Sequence, residues 1–234
     1  MKTNDKILAA AIVAIGIIVM GFALRSGIVT FKDMDRKVSV KGLSEREVMA
    51  DKVTWSLMYK ELGNDPSEMY NLLEHKNSKV IAFLKASGIK DENISVNPPV
   101  VTDRQADNYG NEIMNYRYKA TSVITVTSNE VEKVRTLLGK QSELMKQGIA
   151  LVSNEYDNNV VYEFTKLNDI KPEMIEEATK NARTTAQKFA DDSGSSLGEI
   201  RNAQQGQFSI ENRDANSPFI KKLRVVNTIE YSLK

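Results

Sequence analysis

The chain has no cysteine, and it has only one histidine, His75. Disulfides, thiolate chemistry and cysteine-based zinc sites are therefore excluded, and no metal site with two histidine ligands can form within one chain. The formal net charge is only +1, so the chain lacks the broad positive field that draws proteins to nucleic acid. Its 234 residues, 41% hydrophobic and 27% charged, have the composition of a globular protein of one or two domains.

The motifs that most often accompany catalysis or ligand binding are also missing. Gly42, Gly63 and Gly110 each stand alone, so no glycine-rich phosphate loop follows a strand. Asn64 and Asp65 resemble the start of a calcium loop, but the downstream glycine and glutamate are absent, and we expect Asp65 to cap a helix instead. The sequence therefore predicts no catalytic residue, no cofactor and no metal ligand.

Four groups of side chains could still carry chemistry, but each has a simpler structural role. We expect a solvated histidine, a charged turn between strands, carboxylates that face water at a helix end, and tyrosines that cover a sheet or an interface. Alternation also places Trp55 in the core. In the same order, the four groups are His75; Ser44, Glu45, Arg46, Glu47 and Asp51; Asp191 and Asp192; and Tyr109, Tyr116, Arg117, Tyr118 and Lys119.

One long hydrophobic run lies near the N-terminus. Residues 7–24 carry no charge, and at ~1.5 Å per residue a helix of that length spans about 27 Å, close to the hydrocarbon thickness of a bilayer. Signal-peptide cores are shorter, roughly 7–15 residues, and no good Ala-x-Ala cleavage site follows. We predict a membrane anchor over residues 1–26, in contact with the bilayer through residues 7–24, and a short linker over residues 27–36.

The orientation of this anchor does not follow from charge counting. Basic residues flank the run on both sides, but long domains translocate largely regardless of such charges. We therefore expect a single-pass protein of the bacterial inner membrane with its body in the periplasm; the alternative is secretion to the periplasm after cleavage. The flanking residues are Lys2 and Lys6 on one side and Arg25, Lys32, Arg36 and Lys37 on the other.

Periodicity predicts a mixture of strands and helices. Residues 36–42 and 53–59 alternate apolar and polar, and we expect them to form a hairpin in which Gly42 ends the first strand. Asp65 and Pro66 predict a helix start, and Gly88 predicts its end. Further predicted strands are 94–96, 114–127, 149–153, 160–164, 200–210 and 221–233, residues 102–111 are predicted to be a hairpin loop, and further predicted helices are 131–148, with a break, and 172–192.

Two segments share a frame of identical residues at one constant offset. The predicted helix of the second segment carries a row of small side chains, because alanine recurs there at every fourth position. This spacing predicts that the helix lies close to a sheet or to another helix. We predict an α+β fold of antiparallel sheets with packed helices, built from an internal β-α-β-β duplication over residues 53–127 and 158–234. The matched residues are Pro66, Phe83, Ser87, Gly88 and Ile94 with Pro172, Phe189, Ser193, Gly194 and Ile200; the alanines are Ala178, Ala182, Ala186 and Ala190.

Residues 38–45 and 50–57 resemble the opening of SIMPL-domain proteins, and the alanine series followed by residues 193–200 resembles a later part of them. The likeness covers about residue 37 to the C-terminus. The chain departs from the family at Ala50, where the family often has proline. The resemblance implies an α+β domain over residues 37–234, a bacterial envelope or periplasmic location, oligomeric assembly in some members and no established enzymatic activity.

These observations favour a membrane-anchored, exported protein with a structural or interaction role that self-assembles as a homo-oligomer and has no catalytic activity. A second hypothesis is a periplasmic module that binds a small ligand in a cleft between the two predicted repeats. A third is a hydrolase that uses carboxylates, with Asp51 as its best candidate.

Overall fold

The computed structural model describes residues 3–34, 36–106, 115–152 and 160–234, with side chains in the first helix described for residues 11–28. The fold is α+β, as predicted, with two antiparallel sheets and an apolar N-terminal helix. The helices are α1 (Thr3–Met34), α2 (Pro66–Ala86), α3 (Val131–Leu138), α4 (Ser142–Lys146) and α5 (Leu167–Asp192). The strands are β1 (Lys37–Met49), β2 (Lys52–Gly63), β3 (Ile94–Val96), β4 (Val100–Asp103), β5 (Tyr118–Ser128), β6 (Val161–Glu163), β7 (Leu197–Gln205), β8 (Ser209–Asn212) and β9 (Ile220–Leu233).

Each sheet is built around one long strand. In the β9 sheet the order is β1-β9-β7, and β8 also pairs with β9. In the β5 sheet the order is β3-β5-β2-β6, and β4 also pairs with β5. By internal contacts the chain divides into a first unit, residues 1–46, 168–209 and 223–234, and a second unit, residues 47–167 and 210–222.

The core of the second unit follows the predicted patterns. Val53, Trp55, Leu57 and Tyr59 alternate along β2 and are all buried, which confirms the predicted strand and the core position of Trp55. Helix α2 packs bulky side chains into the same cluster; its buried residues are Met69, Leu73, Val80, Phe83 and Leu84.

The ends of α2 also follow the sequence. The Asp65 carboxylate accepts from the backbone N–H groups of Ser67 at 2.7 Å and Glu68 at 3.1 Å, and Pro66 is the first helical residue. Gly88, just after the helix, has a φ of +85°, a conformation that glycine adopts without steric cost. Local chemistry therefore sets both ends of this helix.

In the core of the first unit, the helix contributes mainly small residues. Ala178, Ala182, Ala186 and Ala190 of α5 are fully buried, as the four-residue spacing predicted. A Cβ atom added to Gly42 of β1 would lie 1.8 Å from the Ala178 carbonyl oxygen and 2.5 Å from the Ala182 nitrogen. Strand and helix backbones are therefore nearly in contact, which confirms the predicted close approach.

The predicted hairpin of residues 36–42 and 53–59 is wrong. Strand β1 continues through Gly42 to Met49 and pairs with β9, whereas β2 pairs with β5 and β6. Gly42 lacks a side chain because α5 lies against it, so it does not mark a strand end. The predicted charged turn also continues the alternation of β1, since Ser44 is buried between exposed Leu43 and Glu45.

The predicted start of the second long helix at Pro172 is also wrong. Helix α5 begins at Leu167, so Pro172 lies inside it, whereas Pro66 lies at the first position of α2. The Asp51 carboxylate accepts hydrogen bonds from Thr165 and Lys166, immediately before α5. A hydrogen-bond acceptor that is distant in sequence thus stabilises the start of this helix, and no local sequence pattern predicts it.

The internal duplication stays a prediction, as do the predicted domain limits. Strand β6, which opens the second predicted repeat, pairs with β2 in the β5 sheet. What the two segments share is a helix, then an interrupted strand, then a long central strand: β3 and β4 both pair with β5, and β7 and β8 both pair with β9.

Several predicted boundaries differ from those observed. Strand β5 begins at Tyr118, and β7 begins three residues earlier than predicted, at Leu197. Of the strand predicted at residues 149–153, the described residues 149–152 form an isolated bridge between Leu151 and Tyr59. The hairpin tip and Tyr109 fall within residues 107–114, outside the described part of the chain.

Candidate interaction surface

Asp51, the best carboxylate candidate for catalysis, is engaged as a structural acceptor. Its oxygens accept from the Thr165 N–H at 2.8 Å, the Thr165 hydroxyl at 3.0 Å and the Lys166 N–H at 3.2 Å. The carboxylate fixes the chain between β6 and α5. A group held in this way serves the fold before it serves as an acid or base.

The charged segment before Asp51 is held by cross-strand and strand–helix contacts. The buried Ser44 hydroxyl donates to Glu177 at 2.8 Å, and Arg46 pairs with Glu173 at 2.8 Å. The two carboxylates of this segment also pair with guanidinium groups, so their contacts among the described residues are structural ion pairs. The remaining ion pairs are Glu45 with Arg224 at 3.3 Å and Glu47 with Arg213 at 3.7 Å.

The other carboxylate and histidine candidates lie on the surface. His75 is exposed on α2, and Asp191 accepts a hydrogen bond from Gln187 at 2.8 Å. A shallow hollow of about 720 Å³ includes Asp191 and Asp192, but every described residue that lines it belongs to α5. Within the described residues no three histidine or carboxylate side chains are grouped so as to hold a metal ion.

Residues of the aromatic–basic cluster link the end of β4 to the chain just before β5. Arg117 donates to Asp103 through Nε at 3.0 Å and through Nη2 at 2.7 Å, and its guanidinium lies 5.0 Å from the Tyr118 ring centre. These hydrogen bonds from Arg117 lower the pKa of Asp103. The side chain of Asn64 accepts the Arg117 backbone N–H at 2.9 Å. Only Tyr116 offers an exposed ring here, so the described residues do not form a base-stacking platform.

Each unit also buries tyrosine hydroxyls that the sequence did not single out. In the second unit the Tyr59 hydroxyl donates to the Asn77 side-chain oxygen, which also accepts from Ser122 at 2.9 Å. In the first unit the buried Tyr231 hydroxyl has no hydrogen-bond partner among the described residues. Burial raises the pKa of both tyrosines.

Three of the sheet edges carry features that discourage pairing with another chain. Native edge strands are commonly protected by charge, by proline or by shortness. Strand β6 has only three residues, and Pro98 and Pro99 interrupt the edge formed by β3 and β4. The β1 edge carries a row of charged residues, namely Lys37, Lys41, Glu45 and Glu47.

The fourth edge, strand β7, is the least protected. Residues 199–205 are exposed on both faces, and Ile200 is 52% exposed. The register with β9 shifts on either side of Ile200, which marks bulges, but residues 202–205 pair regularly with residues 227–230. This regular part, Asn202 to Gln205, has no charge and no proline. The sequence alone does not reveal this surface, because the 200–210 pattern indicates a strand but not its place at the edge of a sheet.

Helix α1 provides the second candidate surface. Within it, Ala11–Ile28 has a mean hydropathy of 2.1, and none of this stretch is buried. Its apolar side chains are exposed all around the helix. By length and composition this helix is consistent with a membrane anchor or a signal sequence, which supports the coarse prediction of an apolar N-terminal targeting segment.

The described residues thus form an α+β protein with an apolar N-terminal helix and an exposed sheet edge at β7. A sequence profile of the SIMPL family, described as a protein of unknown function (DUF541), matches residues 38–223. The chain therefore belongs to the SIMPL family, as the resemblance indicated. No curated protein matches the chain.

Proposed function

We propose that the protein is a single-pass component of the bacterial inner membrane whose periplasmic body has a structural or interaction role, self-associates and performs no catalysis. The observation that carries the proposal is the combination of an unburied apolar helix with an exposed sheet edge.

The helix supports the membrane location. In water, a helix that exposes isoleucine, valine, phenylalanine and leucine on all sides is unfavourable at about 25 cal/mol per Å² of apolar surface. A bilayer removes that cost, and the length of Ala11–Ile28 suits its hydrocarbon core.

The exposed edge supports self-association. Strand β7 has only one hydrogen-bonded neighbour among the described strands and buries neither face of residues 199–205. Paired strands without a packed face are marginally stable in water, so an added neighbour would stabilise β7. The candidate carboxylates support the absence of catalysis, because Asp51, Glu45 and Glu47 are held in structural contacts.

Self-association is tested by light scattering during size-exclusion chromatography of the full chain in mild detergent, across a hundredfold range of protein concentration. We expect a mass above that of one chain after subtraction of the detergent. A single-chain mass at every concentration would contradict self-association.

The absence of cysteine makes topology directly measurable. A Lys140→Cys variant, exposed in the body, should react with a membrane-impermeant maleimide when only the outer membrane is opened, whereas Thr3→Cys should react only after lysis. The reverse pattern would contradict a periplasmic body. The mass of the purified protein then separates an anchor from a cleaved signal, because cleavage removes the N-terminal helix.

A further inference from the structure

We propose that β7 pairs antiparallel with β7 of a second copy of this chain, about a two-fold axis at Gln204, so that two β9 sheets join into one. The inference rests on the proposed self-association and specifies its surface. This pairing would use the backbone N–H and C=O groups of β7 that face away from β9.

The β7–β9 ladder determines these groups. Ser196 and Lys234 exchange both backbone hydrogen bonds, at 2.9 and 2.8 Å, so Lys234 of β9 points toward β7. The direction of the backbone N–H and C=O groups alternates from one residue to the next along a strand. The extra residues at the bulges lie in β7, so this alternation continues unbroken along β9. The backbone groups of Thr228 and Glu230 therefore also point toward β7. Their partners Gln204 and Asn202 are thus hydrogen-bonded, and the residues between and beyond them face outward. The outward residues of the regular segment are Ala203 and Gln205.

The outward groups of this segment complement themselves. A two-fold axis at Gln204 sets Ala203 opposite Gln205 of the second copy, and each such pair exchanges two backbone hydrogen bonds, four in all. The flanking pair sets Asn202 opposite Gly206, which has no side chain to obstruct it. No charged residue lies in this stretch, so no like charges meet across the axis. A second copy is therefore the occupant we infer.

The first test is a disulfide cross-link at the axis. Gln204 would face its own copy in a non-hydrogen-bonded pair, with Cα atoms about 4.5 Å apart, a separation that a disulfide can bridge. Because the chain has no other cysteine, a Gln204→Cys variant can form only this intermolecular bond. We expect rapid dimeric cross-linking under mild oxidation of the full chain in detergent. The matched control Ser39→Cys, exposed on the opposite edge strand β1, should not cross-link.

The second test removes a donor without touching the β7–β9 ladder. In Ala203→Pro the lost N–H points outward, so the sheet within one copy keeps its hydrogen bonds, and edge strands tolerate such a proline. Two of the four intermolecular bonds disappear, so we expect the dissociation constant to rise about tenfold or more, with an unchanged melting temperature at concentrations where both proteins are monomeric. Gln204→Pro, which breaks the internal ladder, should lower the melting temperature and serves as the contrast.

The outcomes separate this inference from the broader proposal. Self-association with no Gln204→Cys cross-link and no effect of Ala203→Pro would overturn the β7 pairing and leave self-association intact. A full chain that is monomeric at every concentration and does not cross-link would overturn both. A Ser39→Cys cross-link as fast as that of Gln204→Cys would show random collision, and it would also overturn the pairing.

Discussion

Two of the helix–sheet pairs in the described part of the molecule are packed through helix side chains of very different size. Helix α2 is separated from the β5 sheet by Leu, Val, Met and Phe, whereas α5 presents a row of alanines to the β9 sheet. The helix of the first arrangement buries more side-chain volume, and the helix of the second lies closer to the strand backbone. The first should therefore be sensitive to lost volume and the second to added volume.

The largest expected effect is at Gly42. Replacement by alanine puts a methyl group 1.8 Å from the Ala178 carbonyl oxygen, and a helix backbone cannot move aside as a side chain can. We expect Gly42→Ala to lower the free energy of unfolding by about 4 kcal/mol. Denaturant unfolding followed by circular dichroism measures this. Gly16→Ala, where the added methyl group meets nothing within 4 Å, should leave the midpoint of the body unchanged.

Removal of side-chain volume tests the packing of α2 against the β5 sheet. Leu73 of α2 is 1% exposed, so Leu73→Ala leaves a cavity, and we expect a loss of about 3 kcal/mol. The adjacent Leu72 is 42% exposed, and Leu72→Ala should cost less than about 1 kcal/mol. Equal losses in the two variants, measured by denaturant unfolding, would contradict the assignment of the buried face of α2.

A smaller contrast concerns two of the buried tyrosines, Tyr59 and Tyr231. Tyr59→Phe removes a hydrogen bond to Asn77 and should cost about 1 kcal/mol. Tyr231→Phe removes a hydroxyl without a partner among the described residues, so it should be neutral or stabilising. Thermal unfolding of both variants gives the comparison, and a clear loss for Tyr231→Phe would show that its hydroxyl has a partner.

The smallest expected effect is in the alkaline pH profile. Burial raises the pKa of Tyr59 and Tyr231 in the folded protein above the ordinary value near 10. The unfolded chain therefore loses these protons first, so stability is intact below about pH 10 and falls as pH rises through the raised pKa. Each Phe variant should make that fall shallower than in the unmodified protein. Unfolding midpoints between pH 8 and 11 test this, and parallel profiles would contradict it.

Local chemistry explains what could be predicted from the sequence. Asp65, Pro66 and Gly88 set the ends of α2 by contacts within a few residues, and alternation from Val53 to Tyr59 identified the buried face of β2. The alanine spacing of α5 indicated a close approach, although not to which strand. These features depend on residues that are close in sequence, so the amino-acid sequence alone is enough to predict them.

The errors arose where a distant segment decides the local structure. Gly42 resembles a strand end, but Ala178 and Ala182 of α5, more than 130 residues later, occupy the space beside it. Pro172 resembles a helix start, but the helix begins where Asp51 supplies acceptors. The openness of the β7 edge depends on the order of strands in a sheet, which alternation within one strand does not encode.

The short connection after α1 has a consequence for how copies meet. Helix α1 ends at Met34 and β1 begins at Lys37, and three Cα-to-Cα steps of about 3.8 Å span at most about 11 Å. In the proposed membrane-anchored arrangement the body cannot leave the surface, and the proposed encounters between copies take place in two dimensions. The assembled fraction then depends on the number of chains per area of membrane rather than on their concentration in the compartment.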